Sequence, residues 1–167
     1  MQMRFGLAAI VSVALLSPMA AQAQTVTIKL ISFTTLTTQH DTPPKGKGNK
    51  GDSIDFKDLL LNDKVSQFGK KTGRAVGFDA GIVRYTSATH QEMLVLATFP
   101  GVGTITFQGP LDPKANGEVV LPITGGTGGF KGAHGTVTIG SGDNKAPNTY
   151  RVTVPGNVNI YGAGGVA

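Results

Sequence analysis

The chain has 167 residues, with 15 Lys and Arg against 10 Asp and Glu, a net charge of +5, and it contains neither cysteine nor tryptophan. The lack of cysteine excludes thiolate nucleophiles, zinc-thiolate sites and any disulfide support. With only 3 Tyr and no Trp, the modest positive charge comes without the aromatic platforms that hold bases, which argues against a nucleic-acid partner.

Arg4, the apolar run from Phe5 to Leu16, then Pro18 and Ala21-Gln22-Ala23 have the form of a secretory signal peptide over residues 1–23, cleaved after Ala23. The 12-residue apolar run is too short to span a bilayer, and no later segment is apolar enough, so no membrane span is expected. Export to the periplasm or beyond the cell follows from this reading. Removing 23 of 167 residues leaves 144, enough for one domain with a real core, here 24–155, followed by a loose glycine-rich tail at 156–167.

Thr25 to Phe33 opens the domain as a strand, with Val26, Ile28 and Leu30 on one face and Thr25, Thr27 and Lys29 on the other. Residues 34–50, with Pro43-Pro44 and a run of Lys and Gly, read as a flexible basic loop. Gly51 to Leu61 resumes an alternating pattern, with a short helical turn at Asp58 to Leu61 as the other reading.

Gly73 to Tyr85 is the most informative strand. One face carries Val76, Phe78, Ala80 and Ile82, expected on an outer wall; the other carries Ala75, Gly77, Asp79, Gly81, Val83 and Tyr85. Met93 to Phe99 is apolar at nearly every position, and such a strand must be covered on both sides, most simply by a second subunit. Thr104 to Gln108, Glu118 to Pro122, Ala133 to Gly140 and Asn148 to Val154 complete about eight short strands. Between the sixth and seventh stands Ile123 to Gly135, with six glycines around Phe130. That segment lacks the Lys-Ser or Lys-Thr pair of a P-loop and runs into a strand, so it reads as a structural turn.

An all-β closed barrel or a sandwich is indicated. Glycine at Gly77 and Gly81 favours a barrel, with small residues inside leaving room for a guest.

Several stretches together resemble the allene oxide cyclase and dirigent superfamily of small β-barrels. They are Gly51-Asp52-Ser53-Ile54-Asp55-Phe56, Gly73-Arg74-Ala75-Val76-Gly77, Thr106-Phe107-Gln108-Gly109-Pro110 and the run from Thr124 to Gly135, in the family's order and spacing. The resemblance implies a closed eight-stranded antiparallel barrel, a homo-oligomer (dimer or trimer), and a lumen that binds an apolar small molecule and guides an intramolecular cyclisation, an isomerase-type activity with no cofactor. Confinement of a flexible reactant to one near-attack conformer would do most of the work. Asp79 stands where the plant cyclases carry a lumen Cys, Asp58 where they carry an Asn, and Ala133-His134-Gly135 replaces the dirigent Ala-Arg-Gly. Gln24 to Gln39 holds neither the acid nor the Asn of the plant cyclases' first strand, which points away from allene oxide itself as substrate.

Asp79 is the candidate catalytic residue. In an apolar cavity it must find a donor, an Arg or a Tyr hydroxyl, or carry a raised pKa suited to acid–base work. Asp58, Tyr85, Phe107, His134 and Tyr150 are the candidate ligand contacts. His40, His90 and His134 lie on separate segments without metal-ligand spacing, so no metal is expected. The rival reading is a non-catalytic exported carrier or structural module whose barrel is filled by its own side chains.

Overall fold

The computed structural model describes residues 22–46, 48–111, 117–156 and 158–160; the signal-peptide reading falls almost wholly outside them. Eight strands follow in chain order: β1 (Gln24–His40), β2 (Ser53–Asn62), β3 (Ala75–Ser87), β4 (His90–Phe99), β5 (Gly103–Leu111), β6 (Val119–Gly128), β7 (His134–Ile139) and β8 (Lys145–Val154). Each pairs antiparallel with its neighbour, and β8 pairs back onto β1 from Gln24 opposite Val154 to Phe33 opposite Lys145, closing the barrel. The described residues contain no helix, and Asp58 to Leu61 is strand.

Period-2 alternation builds the wall. On β1, Val26, Ile28, Leu30 and Ser32 point inward and are buried, while Thr25, Thr27 and Lys29 face solvent. β1 continues through His40, beyond the point where Pro, Gly and Lys composition suggested a loop from Thr34, because Leu36 to His40 ladder onto Lys57 to Ser53. His40 there bonds the Asp55 carboxylate at 3.0 Å, both exposed.

β6 has two partners in succession. Val119 to Ile123 pairs with β7, whereas Ile123 to Gly128 pairs with β5. Gly125 to Gly128 are therefore strand, and the turn is confined to Gly129 to Gly132. A Cβ on Gly126 would strike the Phe130 carbonyl and stand 2.7 Å from the Thr104 carbonyl, so this glycine lets the chain fold back and drive Phe130 into the interior, where it is fully buried.

Two expectations about β3 need correction. Val76 is buried, not on the outer wall, because the β2–β3 register shifts between Leu60 and Leu61 and the extra residue turns Val76 inward. Gly77 and Gly81 do not leave space for a guest. A Cβ on Gly81 would overlap the Phe56 ring, and one on Gly77 would strike the Thr98 carbonyl and lie 3.3 Å from Phe99; the missing side chains are filled by the barrel's own aromatics.

The interior thus has two unlike ends. At the end where β1 begins, Phe99 meets Phe68, Phe130 and Tyr150 at ring-centroid distances of 4.8, 5.5 and 6.2 Å. Val158 and Ile160 are buried in the same core, so this part of the tail is packed and not loose. At the other end, where β1 finishes, the wall opens on a cavity that mixes apolar and polar side chains.

Candidate functional site

The cavity has a volume of about 80 Å³; Ser32, Asp58, Asp79 and Asn148 line it together with apolar side chains, Phe56, Met93, Val95 and Phe107 among them. Asp58 on β2 and Asp79 on β3 are register partners, so their side chains leave adjacent strands on the same face, with Cβ atoms about 5 Å apart. Asp79 is 2% exposed. The Ser32 hydroxyl donates to Asp58 Oδ2 at 2.5 Å. Asp58 Oδ1, Asp79 Oδ1 and Asn148 Oδ1 are buried without a hydrogen-bond partner among the described residues. Three such oxygens in one barrel half are costly, since each forfeits its hydration without replacement.

Burial, with the Asp58 carboxylate beside it as the smaller cause, pushes Asp79 up to about 8. Asp79 is therefore a neutral carboxylic acid near pH 7, with an O–H to donate. Tyr150 is fully buried, and burial first, then Asp79 and Asp58, hold its phenol well above the ordinary value, with Asn148 acting in the opposite sense. Tyr150 is a second permanent O–H, standing edge-on to Phe107 at 5.8 Å. A neutral acid and a neutral phenol are groups suited to donating hydrogen bonds to a carbonyl or phenolic oxygen.

The six residues singled out from the sequence divide unevenly. Asp58, Asp79 and Phe107 line the cavity, and Tyr150 lies two residues beyond the lining residue Asn148 on the same face of β8. Tyr85 does not line it: its ring rests against Gly48, and its backbone bonds Gly51 and Asp52, which places it under the β1–β2 loop. His134 is exposed at the start of β7, at the closed end of the barrel, because the turn after Phe130 carries it outward. Asp79 meets neither an Arg nor a Tyr hydroxyl, so the structural pairing considered for it is not made; among the described residues the one ion pair is His40–Asp55. No group of three metal-ligating side chains occurs among the described residues.

Ser32 and Asn148 are the site residues that sequence reasoning missed. Each left a signal, Ser32 as the polar member continuing the Val26, Ile28, Leu30 stripe and Asn148 as the inward neighbour of Tyr150. Asp52 serves the loop instead: its carboxylate accepts from the Thr42 amide at 2.8 Å, the Thr42 hydroxyl at 2.7 Å and the Asn49 amide at 2.8 Å. These bonds, Thr42's first, hold its pKa below the usual carboxylate value.

Outside the barrel, Leu59, Phe78, Leu94 and Leu96 are 37 to 50% exposed and neighbour one another across β2, β3 and β4. Beside them lies a shallow depression of about 330 Å³ between Ile82, Arg84, Glu92, Leu94, Gln108 and Pro110.

No protein-family model and no curated protein matches the sequence. Solved structures do. A pyocyanin demethylase superposes with a TM-score of 0.62 at 23% identity, over 75% of this chain and 99% of its own. A pterocarpan synthase dirigent protein gives 0.61 at 18% identity, covering 83% and 90%. An exo-specific intermolecular Diels-Alderase gives 0.60 at 15% identity, covering 80% and 100%. The chain shares the fold of these structures, a closed eight-stranded antiparallel barrel. In this barrel the Asp58–Asp79 pair occupies one end of the lumen, and aromatic side chains fill the other.

Proposed function

We propose that the dirigent-like barrel binds an apolar small molecule through an oxygen function at the Asp58–Asp79 end and guides its intramolecular cyclisation. Asp79 is the general acid, donating to a carbonyl or phenolic oxygen; Tyr150 is a second donor; burial, aided by Asp58 oriented by Ser32, keeps Asp79 protonated. The observation that carries this reading is the register pairing of two carboxyl groups whose outer oxygens are buried and unpartnered in a cavity. The cavity of about 80 Å³ holds a reacting end and not a whole drug-sized ligand, whose sites start near about 300 Å³. The remainder of the guest would lie over the rim at Gly142 and Lys145. Names of structural neighbours, a dirigent protein and a Diels-Alderase among them, agree with guided ring formation.

A carrier or structural role is the second reading, favoured by the rings of Phe99, Phe107, Phe130 and Tyr150 that fill most of the interior. The protein is proposed to act after export, as a homo-oligomer joined through the Leu59, Phe78, Leu94 and Leu96 wall, since an apolar patch of this kind is normally covered.

Cyclohexenone, whose infrared carbonyl stretch falls on accepting a hydrogen bond, tests the acid role. Bound to the wild type at pH 6, it should show a lowered stretch that rises in Asp79→Leu, which has no hydrogen to donate. The same stretch in both proteins, or no saturable binding, would leave the carrier reading standing.

A further inference from the structure

The end of the barrel away from the carboxyl pair is stoppered by a side chain in an unfavourable backbone conformation. Phe68, in the β2–β3 loop, is the one non-glycine described residue with positive φ, at 55°; a bulky residue reaches this region only when its surroundings hold it there. What holds it is visible. Gln67 is buried and spans β1 with its side-chain amide, accepting from the Lys29 amide at 3.0 Å and donating to the Thr27 carbonyl at 3.1 Å. Asn62 donates to the carbonyls of Gln67 and Lys70 at 2.9 and 2.7 Å, and the Phe68 amide bonds the Ile160 carbonyl. All of these bonds run through the backbone or through Gln67 and Asn62, so the Phe68 ring can swing about its own side-chain torsions without breaking any of them.

The ring itself reports what its seat accepts. It stacks on Phe99 at 4.8 Å with 14° between planes, whereas Phe130 and Tyr150 meet Phe99 tilted at 57° and 83°. Phe99 therefore offers one face for parallel stacking, and Phe68 occupies it. Phe68 is only half-buried while Phe99, Phe130 and Tyr150 are fully buried, so its seat opens to solvent on one side. The surrounding side chains of this core, Phe130, Val158 and Ile160, carry no charge.

We propose that Phe68 is a displaceable stand-in for a ligand, and that the closed end of the barrel is a second binding site, for a flat, uncharged aromatic ring stacked on Phe99. The site is independent of the carboxyl pair at the opposite end and stands or falls without it. In the wild type the stacked Phe68 competes with the guest, which lowers apparent affinity by the fraction of molecules in which the seat is free.

1-Aminoanthracene, a flat neutral fluorophore, is the probe. Titrated into Phe68→Gly, in which glycine takes the positive φ freely, it should bind about tenfold more tightly than to the wild type, while Asp79→Asn leaves its affinity unchanged. An affinity in a folded Phe68→Gly protein no tighter than that of the wild type would overturn the proposal. Wild-type protein decides the matter should that variant fail to fold. Saturating probe should shift the NMR resonances of Phe99 and Ile160; shifts confined to Val95 and Ile139 at the other end, or no shifts, would overturn it equally.

Discussion

Asp58 and Asp79 face each other across the β2–β3 ladder, and among the described residues only Asp58 of the two has a hydrogen-bond donor, the Ser32 hydroxyl. The inequality divides their roles. Burial first, and the Asp58 carboxylate beside it second, keep the proton on Asp79.

Asp79→Asn should stabilise the protein at neutral and alkaline pH. The folded pKa of about 8 lies above the unfolded value, so between about pH 4 and pH 8 the unfolded chain has released a proton that the folded chain retains, and stability falls as pH rises through this window. The amide cannot ionise and escapes the loss. Each unit of displacement corresponds to about 1.4 kcal/mol, so a gain of at least that size is expected at pH 8, vanishing below pH 4. Urea denaturation of both proteins at pH 3.5 and pH 8 measures it.

Asp52 works in the opposite direction. Its pKa is lowered by bonds from Thr42 and Asn49, so its contribution is present above the unfolded carboxylate pKa and is lost as pH falls through the lower folded value. The protection of the Thr42 and Asn49 amides, taken relative to the intrinsic exchange rate at each pH, should fall on acidification below pH 4, and Asp52→Ala should show the reduced protection already at pH 6.

Gly77→Ala should cost roughly 1 to 3 kcal/mol, the usual range for overpacking, because the added Cβ would strike the Thr98 carbonyl, a backbone atom that cannot move aside. Thermal unfolding gives the value.

Strand alternation and turn punctuation made most of the barrel legible in the sequence, and the inward face of β3 from Gly77 to Val83 could be read residue by residue. Val76 was not, since a bulge in the β2–β3 register reverses one residue without changing the pattern of letters. Glycine is ambiguous for a similar reason: Gly81 reads as vacancy, yet only the fold reveals that Phe56 reaches across from β2 to fill it. Asp79 stood out as a charge among small residues, whereas Ser32 and Asn148 are ordinary in composition and gain meaning only from the cavity they share. Tyr85 kept the right parity but sits too far along β3, beneath the loop at Gly48.

The outer wall gives a test of assembly. The wild type should sediment as an oligomer at micromolar concentration, and Phe78→Glu combined with Leu94→Glu should sediment as a folded monomer, since both side chains stand about half-exposed on the apolar face. A monomeric wild type would remove the proposed interface.

The most direct test of the central claim, that Asp79 is a proton donor at neutral pH, is the ¹³C titration of its side-chain carboxyl in folded protein. The expected midpoint is near 8, moving down in Asp58→Asn as the neighbouring charge is removed. A midpoint near the ordinary Asp value of about 4 would contradict it.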